Sequence, residues 1–379
     1  MAPREGLPAA RPSLNGPERD PAPLPQAFLE RLGRILPAGR TEGVLASFAE
    51  EPPAVFFANT LRRTAEELLA ELQAEGFEPT PLPWRPGAFR LPAGERAALA
   101  DGAASREGRL FVLNASSLVP PLALAPRPGE AVLDLCAAPG GKTLQLACAL
   151  EGRGALSAVD SVRARFFRLK RNLRAQGADF VRTFLKDGAG VWRSCPEAFD
   201  RVLVDAPCTS EARFRAADPD TWAYWSERKI AEMARKQKRL LFSGIQCLAP
   251  GGVLVYSTCT FAPEENEAVV GALLESTGDA LELEPLELPF ENAAGGLPEW
   301  NGRPFHPALA GAARILPADG MEGFFVCRLR KLRSTRRTDR AARGARTPRR
   351  RRIPARGRTT GPPRTVSYTH LTLPTIYSV

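Results

Sequence analysis

The chain has 379 residues, 44% of them hydrophobic, with 52 basic and 42 acidic side chains. That length allows one large domain or two to three ordinary ones, with a core that needs no disulfides. No apolar run reaches the roughly 18 to 20 residues of a membrane-spanning helix, which excludes a membrane protein. Seven scattered cysteines are too few for a disulfide-rich secreted scaffold. We therefore expect a cytoplasmic protein with reduced thiols. The sequence leaves the oligomeric state open, and a monomer is the default.

The net charge of +10 is concentrated at the C-terminus. Residues 331–379 hold 14 Lys or Arg and one acid, whereas residues 1–330 hold 38 basic and 41 acidic groups. Charge alone therefore gives no indication that the body of the protein binds nucleic acid. The basic stretch is either an RNA-binding tail or an out-of-frame or assembly artefact. We favour the artefact, because Lys disappears after residue 331 and the last 13 residues resemble translated adapter sequence.

Composition divides the chain into four predicted segments. The first 25 residues contain seven prolines and almost no large apolar side chains, which is typical of a flexible leader. The next segment combines apolar residues at helical spacing, such as Phe28 and Leu32, with a short apolar run that suits a strand. The predicted segments are a disordered leader, a small α+β module, an α/β domain and a basic disordered tail, at residues 1–24, 25–104, 105–331 and 332–379.

Residues 130–276 alternate near-continuous apolar strands with helices, which predicts a mostly parallel sheet covered on both faces. Such sheets bind ligands at the carboxyl ends of their strands. The predicted strands span residues 131–135, 154–160, a third segment ending at 187, 201–205 and 253–257, with a last strand at 322–329.

A glycine-rich turn follows the first of these strands, in the segment Asp134–Thr143, which reads DLCAAPGGKT. Gly140 and Gly141 would let the backbone approach a ligand where the strand meets a helix N-terminus. Asp160 ends the next strand, where an acid suits the two hydroxyls of a ribose. The pattern is neither G-x-G-x-x-G nor a P-loop, which disfavours dinucleotide and triphosphate ligands. An ordinary βαβ turn with a solvated Asp is the alternative.

Further acids and two cysteines end other strands of the predicted sheet. Asp187 and Asp205 end the third and fourth strands, and Cys208 and Cys259 follow the fourth and fifth. All four would meet Asp160 at one sheet edge. A single cysteine is more often a small buried hydrophobe. Two at neighbouring strand ends favour nucleophilic chemistry, and a zinc site is disfavoured because the chain has no C-x-x-C and only two histidines.

Together these segments resemble the RsmB/Nop2/Sun family of S-adenosylmethionine-dependent RNA cytosine-5 methyltransferases, from about Pro25 to Lys331. The resemblance includes two stretches, Ala58–Arg62 and Pro83-Trp84, that look like the family's N-terminal RNA-binding module. The motifs in the remainder are NASSLVP at 114–120, the turn at 134–143, DAPC at 205–208, YSTC at 256–259, PEENE at 263–267 and EGFF at 322–325.

The resemblance implies a Rossmann-like class I methyltransferase fold with a mostly parallel seven-stranded sheet, preceded by a small α+β N-terminal RNA-binding module. It implies S-adenosylmethionine as cofactor, no metal, and rRNA or tRNA as partner. Asp160 would bind the ribose and Asp187 would lie near the adenine. The implied cofactor-binding residues are Cys136, Ala137, Ala138, Pro139, Gly140, Gly141, Lys142, Asp160, Arg165, Asp187 and Asp205.

The resemblance also implies the catalytic roles. Cys259 would add to C6 of cytosine, so that C5 can attack the methyl group. Asp205 would hydrogen-bond the N3/N4 edge of the base and stabilise charge that develops on the ring. Cys208 would help to release the product. The target base must be unstacked or single-stranded to reach these groups.

Three alternatives remain at this point. Cys208 could be the nucleophile in place of Cys259, as the Pro-Cys cysteine is in DNA cytosine-5 methyltransferases. The protein could be an RNA-binding assembly factor with a vestigial site, or a nucleotide-dependent oxidoreductase.

The roles of the basic residues are also open. Lys142 could contact the nucleotide or only cap the turn. The candidates for phosphate contacts, which a solvated helix face would explain equally well, are Arg163, Arg165, Arg168, Lys170, Arg171 and Arg174.

Overall fold

The computed structural model describes residues 24–318 and 320–336. The predicted leader, apart from Leu24, and the predicted tail beyond Arg336 lie outside these ranges. The described residues form one compact unit. Within the described ranges, no helix is both long enough and apolar enough to cross a membrane.

The N-terminal module is built on a small antiparallel sheet with strand order β2-β3-β1-β4. Its central strand β1 (Ala54–Ala58) is buried along its whole length, which explains its continuous apolar sequence. The strands around it are β2 (Thr80–Pro81), β3 (Ala88–Leu91) and β4 (Leu110–Leu113). The helices are α1 (Gln26–Ile35), α2 (Thr41–Ser47), α3 (Ala65–Ala74), α4 (Arg96–Asp101) and α5 (Ala103–Arg106).

Local sequence signals account for α3. The Thr64 side chain accepts a hydrogen bond from Glu67 N, and the Glu67 carboxylate accepts one from Thr64 N. This capping box satisfies two backbone donors that a helix N-terminus otherwise leaves free. Leu68 and Leu72, one turn apart, then pack into the core under the sheet. The sheet of this module takes its fourth strand, β4, from beyond residue 104, where the sequence predicts the module to end.

The larger sheet has nine strands within the described residues, in the order β11-β14-β15-β9-β8-β5-β6-β7, with β10 also pairing β15. Its strands are β5 (Ala131–Asp134), β6 (Ala155–Asp160), β7 (Arg182–Leu185), β8 (Phe199–Asp205), β9 (Leu248–Thr258), β10 (Leu281–Glu284), β11 (Ala293–Gly295), β14 (Ala313–Ile315) and β15 (Phe324–Lys331). A separate hairpin joins β12 (Glu299–Trp300) and β13 (Arg303–Pro304). The helices are α6 (Val119–Leu124), α7 (Gly141–Ala149), α8 (Arg163–Ala175), α9 (Glu227–Cys247) and α10 (Glu267–Thr277).

Five neighbouring strands of this sheet, β7, β6, β5, β8 and β9, are parallel, and the other four pair antiparallel. The seven strands implied by the resemblance are therefore too few. The additional pairing comes from short segments such as β11, whose Ala-Ala-Gly sequence carries no strand signal.

The strand order reverses at β5, since β6 lies on one side of it and β8 on the other. The pairing register brings the ends of these strands together, because Asp134 of β5 lies opposite Ala158 of β6 and Leu203 of β8. Asp205 at the end of β8 pairs with Ser257 of β9. The carboxyl ends of four parallel strands thus meet at one switch point, which is where doubly wound sheets bind ligands.

Asn59 fixes the N-terminal module against this domain. Its side chain is fully buried, and Nδ2 donates to the backbone carbonyl oxygens of Gly108 and Gln176, at 2.7 Å each. Arg62 donates to the carbonyl of Ala175, at the end of α8. The module and the arginine-rich helix are therefore held in one arrangement beside the switch point.

Candidate active site

A cavity of about 650 Å³ opens at the switch point and is lined by both parts of the structure. Phe111 of β4 and the neighbouring Asn114 line it, and so do the two strand-end cysteines. The predicted site residues that line it are Cys136, Ala137, Ala138, Pro139, Gly141, Lys142, Arg165, Asp205, Cys208 and Cys259. Gly140 lies within the same turn.

The glycine turn has little room for side chains. Gly140 has φ +115°, a backbone conformation that favours glycine. A Cβ at Gly141 would come within 2.7 Å of the Phe111 ring, so the turn approaches the N-terminal module closely. Ala138 N lies 3.3 Å from Asp160 Oδ2, and Arg165 donates to the Ala138 carbonyl at 2.7 Å. These contacts hold the turn against the end of β6.

Asp134 provides an unpaired acceptor on the lining of this cavity. Its side chain is buried, and its Oδ2 accepts from Thr143 Oγ1 at 2.7 Å, whereas its Oδ1 has no hydrogen-bond partner. Burial raises the pKa of Asp134 to about 7. An orphaned carboxylate oxygen suits a ligand that brings hydrogen-bond donors or a positive charge, as S-adenosylmethionine does. The sequence motif contains Asp134, but it was missing from the predicted site.

Asp160 and Asp187 line a smaller cleft beside the main cavity. Cys136 and Arg165 line both, so the two spaces adjoin. Asp187 is largely exposed, and it accepts a hydrogen bond from Ala189 N at the start of a 3-10 helix. The strand-end acids therefore divide into two groups, with Asp134 and Asp205 in the cavity and the other two in the cleft.

Lys142 contacts Asp205 rather than only capping the turn. Its Nζ lies 2.8 Å from Asp205 Oδ2, and Ser257 Oγ donates to the other carboxylate oxygen at 2.8 Å. Both Lys142 and Asp205 face the cavity. The pair presents a hydrogen-bond donor and an acceptor side by side, as a pyrimidine base edge requires.

The two thiols are in direct contact. Cys208 Sγ lies 3.3 Å from Cys259 Sγ, and Ser210 Oγ lies 3.5 Å from the latter. The hydrogen bond from Cys208, together with the positive charge of Arg213, lowers the pKa of Cys259 to about 6. The same hydrogen bond and burial raise the pKa of Cys208 well above its usual range. At neutral pH the pair is thus a Cys259 thiolate and a Cys208 thiol, which favours Cys259 as the nucleophile.

Two more groups at this site were not found from sequence. Arg213 lines the cavity and lies 3.5 Å from Glu322, which also binds Arg215 at 3.0 Å. Glu322 thereby holds a cation close to the thiolate. Of the six basic residues on α8, Arg165 and Arg168 line the cavity. In the described part of the chain, no group of three or more His, Cys, Asp or Glu could hold a metal ion.

We expect iodoacetamide to modify Cys259 before Cys208, at a rate that reaches half its plateau near pH 6. The thiolate is the reacting form, and its fraction rises as pH passes through the pKa. Site-resolved mass spectrometry of the alkylated peptides gives the rate at each thiol. In Cys208→Ala the midpoint should move up toward about 8.5, since the hydrogen-bond donor is lost. A wild-type midpoint near 8.5 would contradict the assignment.

Known proteins resemble this chain in sequence. Residues 121–330 match the family described as 16S rRNA methyltransferase RsmB/F. The chain is 37% identical to ribosomal RNA small subunit methyltransferase F of Vibrio campbellii, over 82% of this chain and 63% of that protein. It thus spans less than two thirds of that relative's length. It is 39% identical to a tRNA (cytosine(49)-C(5))-methyltransferase of Pyrococcus abyssi, over 73% of this chain and 87% of that protein.

The fold has a solved counterpart. A methyltransferase homologue from Pyrococcus horikoshii superposes with a TM-score of 0.68 and 30% identity, over 82% of this chain and 100% of that one. The predicted α/β class I methyltransferase fold is therefore confirmed. With more than half of its residues matched to one family, the chain belongs to the RsmB/F methyltransferase family.

Proposed function

We propose that the protein transfers a methyl group from S-adenosylmethionine to C5 of a cytosine in RNA. The observation that carries the proposal is the 3.3 Å contact between a Cys259 thiolate and a Cys208 thiol, in the same cavity as the Lys142–Asp205 pair. The names of the relatives support rRNA or tRNA as substrate. We propose that the protein acts as a monomer in the cytoplasm, where such RNA is found.

The cofactor would lie along the glycine turn and the adjoining cleft. When bound, it supplies an electrophilic methyl group on a sulfonium. Asp160 would bind the ribose hydroxyls and Asp187 would lie near the adenine, as the resemblance implies. The orphaned Asp134 oxygen is suited to a donor or positive charge on the methionine part. The residues proposed to hold the cofactor are Cys136, Ala137, Ala138, Pro139, Gly140, Gly141, Lys142, Asp160, Arg165, Asp187 and Asp205.

The reaction would begin at the two thiols. The Cys259 thiolate adds to C6 of the cytosine, which makes C5 nucleophilic enough to take the methyl group. Asp205 accepts from the N4 amino group and Lys142 donates to the ring edge, so that charge developing on the base is stabilised. Water in the open cavity then takes the C5 proton, the C5=C6 double bond re-forms, and the C6–S bond breaks so that Cys259 leaves as a thiolate. The Cys208 thiol donates to that leaving sulfur and eases its departure.

We also propose that the N-terminal module contributes to RNA binding. It supplies Phe111 and Asn114 to the lining of the cavity that also contains the thiols. Arg96 of the module and Arg168 of α8 line the same cavity and would contact phosphates of a single-stranded segment. The target base would enter the cavity unstacked.

The test is methyl transfer from S-adenosylmethionine labelled with tritium in its methyl group. Small-subunit rRNA and tRNA transcripts are incubated separately with the wild-type protein, and bisulfite sequencing locates the modified cytosine. We expect label at C5 of a cytosine in one of the two RNAs. Cofactor binding, seen as a shift in melting temperature, without label in either RNA would favour the assembly-factor alternative. A shift with NAD in place of S-adenosylmethionine would favour the oxidoreductase.

A further inference from the structure

A chain of hydrogen bonds joins the loops that carry the two cysteines. Each cysteine is followed by a threonine, and Thr209 Oγ1 lies 2.9 Å from Thr260 Oγ1. Thr209 Oγ1 also hydrogen-bonds Glu265 Oε1, and Thr260 Oγ1 donates to Glu211 Oε2 at 2.8 Å. We call these four side chains the Glu–Thr chain. Both of its carboxyl groups are buried, with exposures of 0% for Glu265 and 1% for Glu211.

The two ends of the Glu–Thr chain have different partners. Glu211 accepts three hydrogen bonds, since Trp225 Nε1 donates to Oε1 at 2.8 Å and Phe261 N donates to Oε2 at 3.0 Å, beside Thr260. Glu211 is therefore an acceptor at both oxygens. Glu265 Oε2 accepts from Gln237 Nε2 at 2.7 Å and from Thr209 N at 3.1 Å. Its Oε1 hydrogen-bonds the Thr209 hydroxyl and is 3.4 Å from Thr209 N, which is farther than Oε2 is from that nitrogen.

The Glu–Thr chain is one hydrogen short if both of its carboxyl groups are ionised. It contains three oxygen–oxygen contacts, and each requires one hydrogen. Two hydroxyl groups supply two hydrogens, so ionised carboxylates at both ends would leave the Thr209–Thr260 contact without one. A proton on Glu265 Oε1 removes the deficit. Glu265 then donates to Thr209, Thr209 donates to Thr260, and Thr260 donates to Glu211.

We propose that Glu265 is protonated at neutral pH and that the Glu–Thr chain holds the Cys208 and Cys259 loops at the separation at which one thiol donates to the other. Glu265, Thr209, Thr260 and Glu211 are thus positioning residues, which act through the cysteines. The inference rests on the proposed function, because it concerns the thiols of that reaction.

The surroundings of Glu265 agree with a neutral acid. Burial raises its pKa to about 8, and the negative charge of Glu211 adds to that effect. The other titratable groups that face it are the Cys208 thiol and the Tyr256 hydroxyl, which donates to the Glu265 backbone carbonyl at 2.6 Å. Arg31 acts on Glu211, where it opposes the effect of burial. The charge environment therefore favours the proton at the Glu265 end.

The protonated acid gives the site an upper pH limit. Above about pH 8 the proton leaves Glu265, the Thr209–Thr260 contact loses its hydrogen, and the two loops are no longer held together. The same proton makes the folding stability depend on pH. Between an ordinary pKa of 4.5 and about 8, the unfolded chain has lost this proton and the folded protein keeps it, so stability falls as pH rises across that window.

The experiment compares Glu265→Gln with Glu211→Gln. A glutamine at 265 keeps a donor toward Thr209 and an acceptor for the two N–H groups, as the protonated acid does. A glutamine at 211 must turn its NH₂ group toward the N–H of Trp225 or of Phe261, which leaves two donors facing each other. The readout is the rate of Cys259 alkylation in the free protein, from pH 5 to 10. Glu130→Gln is the matched control, because Glu130 is a half-buried acid that pairs with Arg201, outside the Glu–Thr chain.

At pH 7 we expect Glu211→Gln to slow alkylation of Cys259 at least about tenfold, and Glu265→Gln to slow it less than about threefold. A Cys259 that has lost its donor titrates near 8.5, so we expect the wild-type rate to fall by about a third near pH 8 and to recover by pH 10, whereas the Glu265→Gln rate keeps its plateau. Equal losses in the two variants at pH 7, a larger loss in Glu265→Gln, or the same fall near pH 8 in Glu265→Gln would overturn the proposal.

A second pair of variants covers the case in which Glu211→Gln does not fold. Thr260→Ser keeps the hydroxyl and should keep the alkylation rate, whereas Thr260→Val should lower it about tenfold. Equal rates in these two variants would refute the positioning role. Because alkylation needs no RNA, a failure here is distinguishable from a failure of the proposed methyl transfer, which the wild-type protein tests separately.

Discussion

Replacing Cys259 with Ala is expected to reduce methyl transfer by at least about 10³-fold, whereas Cys208→Ala is expected to leave the protein covalently attached to its RNA. The two sulfurs lie 3.3 Å apart, and the pKa of Cys259 is the lower of the two. The hydrogen bond from Cys208 and the charge of Arg213 lower the pKa of Cys259 to about 6, so its thiolate predominates at pH 7, whereas the pKa of Cys208 lies well above its usual range. Only Cys259 is therefore ready to attack C6.

The Cys208→Ala variant should affect two steps. Without the neighbouring S–H group the pKa of Cys259 rises, so the attack at pH 7 slows by about thirtyfold if the thiolate falls to about 3%. Release also loses the donor that stabilises the departing sulfur. At about pH 8.5, where much of the thiolate is restored, the slow step is release and the adduct should accumulate on ordinary cytosine.

Denaturing gels with 5-fluorocytosine RNA measure the covalent protein–RNA adduct directly, since fluorine at C5 prevents release and traps the adduct. Wild-type protein and Cys208→Ala should both give a retarded band, and Cys259→Ala should give none. A band that survives in Cys259→Ala would reverse the roles of the two thiols. A matched substitution at Cys327, which is buried in the core away from the cavity, should leave the adduct unaffected.

The convergence of these groups was predictable from sequence because it depends on strand ends. A strand ends at or just before each of these residues: Asp160, Asp205, Cys208 and Cys259. The carboxyl ends of parallel strands lie at one edge of the sheet, irrespective of the loop conformation. The prediction needed only strand boundaries and the order of β5, β8 and β9. The class I fold followed from the same pattern.

The residues that tune the site were beyond sequence reasoning for the opposite reason. Glu211 meets Thr260 across 49 positions of the chain, and Glu265 meets Thr209 across 56. Both contacts depend on loop conformation, which apolar periodicity does not report. Arg213 likewise reaches the cavity through a short 3-10 helix that follows Ser210, whose φ is +57°. The sequence analysis did not identify β4, because a four-residue strand does not indicate which sheet it joins.

Glu267→Ala is expected to lower the free energy of unfolding by about 3 to 5 kcal/mol. Glu267 is fully buried, and its two oxygens accept from Arg314 Nε and Nη2 at 2.6 Å each. Removing the carboxylate leaves a buried guanidinium without its partner, and the desolvation of that charge is then uncompensated. Leu297 N, which donates to Glu267 at 3.0 Å, also loses its acceptor.

The same ion pair connects stability to the site. Arg314 Nη1 donates to the carbonyl of Phe261 at 2.9 Å, two residues beyond Cys259. Glu267→Ala should therefore also loosen the loop that holds the nucleophile, so alkylation of Cys259 should slow in the fraction that remains folded. Urea unfolding followed by circular dichroism measures the stability, and alkylation of the native protein measures the loop.

Two further variants test whether the loss of stability comes from breaking a buried ion pair or from removing any carboxylate. In the double variant Glu267→Leu with Arg314→Met neither charge remains buried, so we expect it to regain much of the stability that Glu267→Ala loses. The exposed pair of Arg153 and Glu151 is the comparison, and Glu151→Ala should change the free energy of unfolding by less than about 1 kcal/mol. A loss below about 1 kcal/mol in Glu267→Ala would mean that Arg314 finds water or another acceptor, and the loop around Phe261 would then owe its position to packing alone.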